Sequence, residues 1–121
     1  MLNWVGIAAV NLALAVGLGA FGAHGLKSIA TSQQLDWWHT ATLYLLIHAT
    51  GLLAVGILIR LQITTPMPAW LLQIGVLIFA GTLYAMALGA PRWFGAITPI
   101  GGVLMIVGWL WLAVTAFRYQ G

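Results

Sequence analysis

The sequence predicts an all-α integral membrane protein, a four-transmembrane-helix bundle forming a single domain over residues 1–121. Three observations carry that prediction: 63% of the residues are apolar, only 4% are charged, and the apolar residues fall into four bilayer-length stretches. An ordinary soluble domain is about one quarter charged. The charged residues here, Lys27, Asp36, Arg60, Arg92 and Arg118, are too few to cover a water-facing surface, and they are spaced like punctuation between spans.

A helix needs about 20 mainly apolar residues to cross roughly 30 Å of hydrocarbon. Residues 2–23, 40–59, 69–88 and 99–117 meet that requirement. Without water to satisfy the backbone, each span must close its own hydrogen bonds, which selects helix even where Val and Ile are frequent.

The first span could be mistaken for a secretory signal, since it is apolar and ends in small residues. It lacks a basic leading segment, and its apolar part is longer than a signal core, so it is expected to be a retained helix. The polar stretch from His24 to His39 follows, in which Thr31 and Gln34 have capping-box spacing for a helix running on into the second span. Trp37 and Trp38 are then expected at headgroup level.

The second and third spans are joined by a turn containing Pro66 and Pro68, and the third and fourth by one containing Gly89 and Pro91. Thr98 before Pro99 predicts a helix start, with the hydroxyl as N-cap and proline at the first helical position. This layout sends Trp4, Trp70, Trp109, Trp111 and Tyr119 toward the face holding both termini, and Trp37, Trp38 and Trp93 toward the other. Two aromatic belts are therefore expected. Basic residues are nearly balanced between the faces, with Arg60 and Arg118 against Lys27 and Arg92. The expected orientation places both termini in the cytoplasm.

Small residues recur at packing intervals: Ala15, Gly19 and Ala23, then Gly75, Thr82 and Gly89, then Gly101, Gly108 and Thr115. They allow backbones to approach closely, either within the bundle or across a dimer seam.

The composition excludes several functions. The net charge of +3 is scattered rather than clustered, so nucleic acid is not an expected partner. The absence of cysteine removes thiolate chemistry, and the single carboxylate, Asp36, leaves no pair for acid and base catalysis. No acidic residue lies within a span, as a proton-coupled transporter normally requires.

His48, near the middle of the second span, is the best-placed polar residue, and Tyr44 lies one turn before it. The tyrosine hydroxyl could bond the imidazole, or His48 could make a structural interhelical bond. His39 is about 14 Å from His48 along a continuous helix, so the two cannot share a metal. No metal or other cofactor is expected.

Several strings in order carry a family resemblance. They are the run from Gly19 to Leu26, Tyr44 with His48, Gly81 to Tyr84, and Thr98 to Gly102. Together they resemble the YgdD/YwdK-like small membrane proteins, catalogued as domain of unknown function 423. The resemblance implies a small four-helix protein of the bacterial inner (plasma) membrane with no established activity. The chain departs from that pattern at Leu43 and Leu45, where many relatives are polar, and at Thr82, where serine is frequent.

Four of the matching residues, His24, Tyr44, Tyr84 and Thr98, fall in the half of the bilayer away from the termini, with His48 just below. A hydrogen-bonded cluster of these five is expected to fix the first loop across the helix ends. The expected function is that of a non-enzymatic accessory, assembly or stabilising component, with the lipid bilayer, membrane protein partners or further copies of itself around it. The alternatives are an oligomeric small-molecule or lipid carrier or channel, and a haem-binding redox subunit.

Overall fold

The computed structural model describes residues 2–121 and contains helices α1 (Trp4–Ala23), α2 (Ser32–Arg60), α3 (Met67–Ala87) and α4 (Thr98–Arg118). Two short 3-10 turns, Leu26–Ser28 and Arg92–Ala96, lie in the connections opposite the termini. All four long helices have the length and apolarity to cross a membrane. The fold is the expected membrane bundle.

Helix α2 begins earlier than its apolar stretch. Its 29 residues reach about 43 Å at 1.5 Å per residue, so the first turns stand beyond the hydrocarbon. Thr31 and Gln34 start it with the expected capping box, each side chain accepting from the other's backbone N–H at 3.1 and 2.9 Å. Two helices end alike. After α3, Gly89 takes φ +108°, its N–H meets the Met86 carbonyl, and the Ala90 N–H meets that of Ala85. After α2, Gln62 takes the same role at φ 60°, with matching bonds to Ile59 and from Ile63 to Leu58. Both are left-handed caps closing orphan carbonyls, but only glycine adopts that conformation freely.

The start of α4 differs from the sequence expectation. Thr98 is already helical and its hydroxyl caps nothing, because it bonds the Phe94 carbonyl at 3.3 Å and the Thr82 hydroxyl at 2.6 Å. The preceding 3-10 turn delivers the chain in helical geometry, so no side-chain cap is needed.

Helix α1 packs on α2, α2 on α3, and α3 on α4. The α2–α3 pair forms the spine, with Leu52, Val55, Leu72, Val76 and Ala80 buried along it. Residues of α2 separate by helical angle: Trp38 and Thr42 meet Gly22 and Gly19 of α1, whereas Gly51 meets Trp109 of α4. The flanking helices therefore lie on opposite sides of the spine, in a rhomboid arrangement.

Glycines set the closest approaches. A Cβ on Gly101 would stand 2.5 Å from both the Gly75 carbonyl oxygen and the Phe79 nitrogen, so α3 and α4 touch backbone to backbone. Gly108 fits against Leu71 and Leu72 in the same interface. Gly75, Gly101 and Gly108 thus serve packing within the bundle.

Candidate functional site

The polar side chains that join helices inside the membrane gather in the two grooves that flank the spine. In the groove facing α4, the absent side chain of Gly51 leaves room for Trp109, whose ring would lie 2.6 Å from a Cβ there. The indole N–H then donates to His48 Nε2 at 3.0 Å. Indole nitrogen is only a donor, so Nε2 must be the unprotonated nitrogen and Nδ1 carries the hydrogen. Nδ1 donates in turn to the Tyr44 carbonyl at 2.9 Å. Both ring nitrogens of a neutral imidazole are occupied.

The groove facing α1 repeats the device. Gly22 makes room for Trp38, whose indole N–H donates to the Leu18 carbonyl at 2.7 Å. One turn further along α2, the Thr42 and Tyr84 hydroxyls are 2.7 Å apart, and Tyr84 packs edge-on against Trp38 with ring centres at 4.4 Å. Nearer the termini, Asn11 and Gln73 join their carboxamides across α1 and α3.

The expected five-membered cluster is not what forms. Tyr84 belongs to the α1 groove, while His48 and Thr98 belong to the α4 groove, where the Thr98 partner is Thr82. His24 is exposed beyond the end of α1. Tyr44 is 37% exposed and packs on Phe79 at 4.5 Å. Its ring lies stacked 6.0 Å from that of His48, so the backbone carbonyl, not the hydroxyl, reaches the imidazole. The spine separates the two sets because Thr42 and Tyr44 point 200° apart on one helix.

Trp38 and Trp109 depart from the belt expectation in the same way, since their indoles serve interhelical bonds rather than headgroups. Trp4 is also buried, packed edge-on against Trp70 at 5.0 Å. Trp70 and Trp93 remain exposed near helix ends.

Beyond the expected residues, Trp109, Thr42 and the Asn11–Gln73 pair also carry interhelical bonds. The last pair was detectable, because two carboxamides lie at similar depths from the starts of α1 and α3. The tryptophans had no such signal, since any of several glycines could have received them.

Among the described residues, no group of three or more His, Cys, Asp or Glu could hold a metal ion. Binding a metal at His48 would require giving up the bond from Trp109 or that to Tyr44. Among the same residues, every buried side-chain nitrogen or oxygen has a hydrogen-bond partner. What this arrangement does chemically is fasten helices: each groove couples non-consecutive neighbours through groups that would be costly to leave unpaired in hydrocarbon.

At each membrane edge an arginine ties a helix end to a neighbouring segment. Arg60 donates to Asn3 Oδ1 at 2.9 Å, and that oxygen also accepts from the Gly6 backbone at the start of α1. On the opposite edge Arg92 donates to Gln33 Oε1 at 2.8 Å and lies 5.9 Å over the Trp37 ring.

Residues 18–102 match the family described as Protein of unknown function (DUF423). The chain is 48% identical over 113 residues to a UPF0382 membrane protein of Staphylococcus saprophyticus, covering 93% of this chain and 94% of that one. A UPF0382 membrane protein of Staphylococcus epidermidis is 43% identical over 116 residues, covering 95% of each chain. The UPF0382 membrane protein YwdK of Bacillus subtilis is 41% identical over 118 residues, covering 93% and 94% respectively. No solved structure matches the chain.

Proposed function

The chain belongs to the DUF423 family of membrane proteins, and we propose that it is a non-enzymatic accessory or stabilising component of the bacterial inner membrane. In this reading both termini lie in the cytoplasm, and the protein acts by associating with other membrane proteins or with copies of itself. The observation that carries it is the complete pairing of buried polar side-chain atoms among the described residues. A catalytic or transport site presents convergent polar groups to its substrate in a cleft or cavity. Here the interior groups are spent on one another, which favours a rigid body recognised from outside.

Native pull-down from membranes in mild detergent, with identification of bound proteins, tests this directly. A membrane protein recovered at fixed stoichiometry is the expected result. Recovery of the chain alone, together with solute flux through vesicles containing it, would replace the proposal with the carrier or channel reading. A Soret absorption band in the purified protein would replace it with the haem-binding one.

A further inference from the structure

The amino-terminal end of α1 borders three surface cavities that share walls. The first, of 420 Å³, is lined by Asn3, Trp4, Gly56, Arg60 and Gln62. The second, of 110 Å³, joins Trp4 and Ile59 to Trp70. The third, of 550 Å³, runs along α1 past Gly6, Ile7 and Val10 to the Asn11–Gln73 pair. Leu2 borders all three and Asn3 the first and third, so they lie side by side around the start of α1 and give this surface groove a polar upper end and an apolar lower one.

The upper end is cationic. Arg60 spends one N–H on neutral Asn3, and a guanidinium has five N–H donors in a fork that suits phosphate oxygens. The only acidic side chain, Asp36, is at the other end of α2, about 36 Å away along the helix axis. The lower end is an apolar slot that descends about 12 Å from Asn3 to Asn11. Position 6 has no side chain to narrow it, and the atoms nearest a Cβ placed there belong to Asn3, at 3.4 Å or more.

A positive site at headgroup level above an apolar slot on a lipid-facing surface has the charge and shape of one kind of molecule. We propose that this groove binds a single anionic phospholipid, with its phosphate on Arg60 and an acyl chain beside Gly6 and Val10. The site touches the Asn11–Gln73 pair only at its lower end and asks none of the paired interior groups to bind, so it stands or falls independently of the accessory role.

Native mass spectrometry of the full chain in mild detergent, with phosphatidylglycerol or phosphatidylcholine added, tests the assignment. Phosphatidylglycerol is expected to be retained in preference, as a one-to-one adduct. Arg60→Gln should weaken that retention about tenfold, the scale of one charge-assisted phosphate contact, and Arg60→Lys should restore part of it. Gly6→Leu, which keeps the Arg60 charge, should weaken retention by filling the slot. Arg118→Gln, on the same face, and Gly17→Leu, at an open position of α1, should leave it unchanged.

Equal retention of the two lipids would overturn the proposal. Equal losses from Arg60→Gln and Arg118→Gln would also overturn it, in favour of diffuse surface charge. Should Arg60→Gln fail to fold, Gly6→Leu decides alone, and unchanged retention in that variant removes the slot. Displacement of the lipid by inorganic phosphate would reduce the site to a simple anion contact and equally overturn the proposal.

Discussion

His48 is 8% exposed within a transmembrane helix and bonded at both ring nitrogens, so its worth can be measured through its partners. Interhelical hydrogen bonds in membranes contribute about 0.6 kcal/mol on average and about 1–2 kcal/mol in favourable cases, because the separated helices also find partners. Trp109→Phe leaves His48 Nε2 without its donor, and His48→Leu leaves the indole N–H without its acceptor. Each is expected to destabilise the bundle by about 1–3 kcal/mol, the cost of an unsatisfied buried group together with altered packing. The double variant should lose about 0.5–2 kcal/mol less than the sum of the single losses. Equilibrium unfolding in mixed micelles measures the cycle, and strict additivity would mean that the bond itself contributes nothing.

Among the helices, the α3–α4 interface is the one whose geometry tolerates least change. Gly101 and Gly102 are adjacent in sequence yet lie in different surroundings. A Cβ on Gly101 enters the α3 backbone, whereas one on Gly102 meets nothing closer than the Phe79 ring at 3.9 Å. Gly101→Ala is therefore expected to cost at least about 1–3 kcal/mol through forced separation of the helices. Gly102→Ala should be neutral or gain up to about 1 kcal/mol from helix propensity. Thermal denaturation of the two variants in detergent distinguishes them, and equal midpoints would contradict the backbone contact. The end of α2 offers a comparison in the other direction. Gln62 holds a left-handed φ of 60° where α3 uses Gly89. Gln62→Gly should relieve part of the roughly 1–2 kcal/mol that this conformation costs an L-residue, raising the same midpoint.

At the scale of the molecule, four antiparallel crossings place both termini and the α2–α3 turn on one face of the membrane. The chain contains no cysteine, so single cysteines report sidedness without background. With the termini in the cytoplasm, an impermeant maleimide applied to intact cells should label Lys27→Cys and Trp93→Cys. Gln62→Cys and Gln120→Cys should react only after permeabilisation. The reverse pattern would invert the orientation, and a split within either pair would contradict the crossing order. Much of this architecture is legible in the sequence, because hydropathy, loop breakers and charge spacing all report position along the membrane normal. The candidate site is less legible. His48 and Thr98 share a groove, but Tyr84 lies across the spine and His24 outside the bundle, because depth does not reveal which way a helix is turned.

The sequence by itself determined the number of crossings, their helical character and the depth of each polar residue, since the bilayer acts on every segment separately. Its capping box at Thr31 and Gln34 likewise formed as expected, being a local interaction. Only the tertiary structure decided the rotation of each helix and hence its partners. That rotation follows from where one helix's tryptophan fits over another's glycine, Trp38 on Gly22 and Trp109 on Gly51. Such fits depend on the shapes of two surfaces together, and hydropathy measures neither.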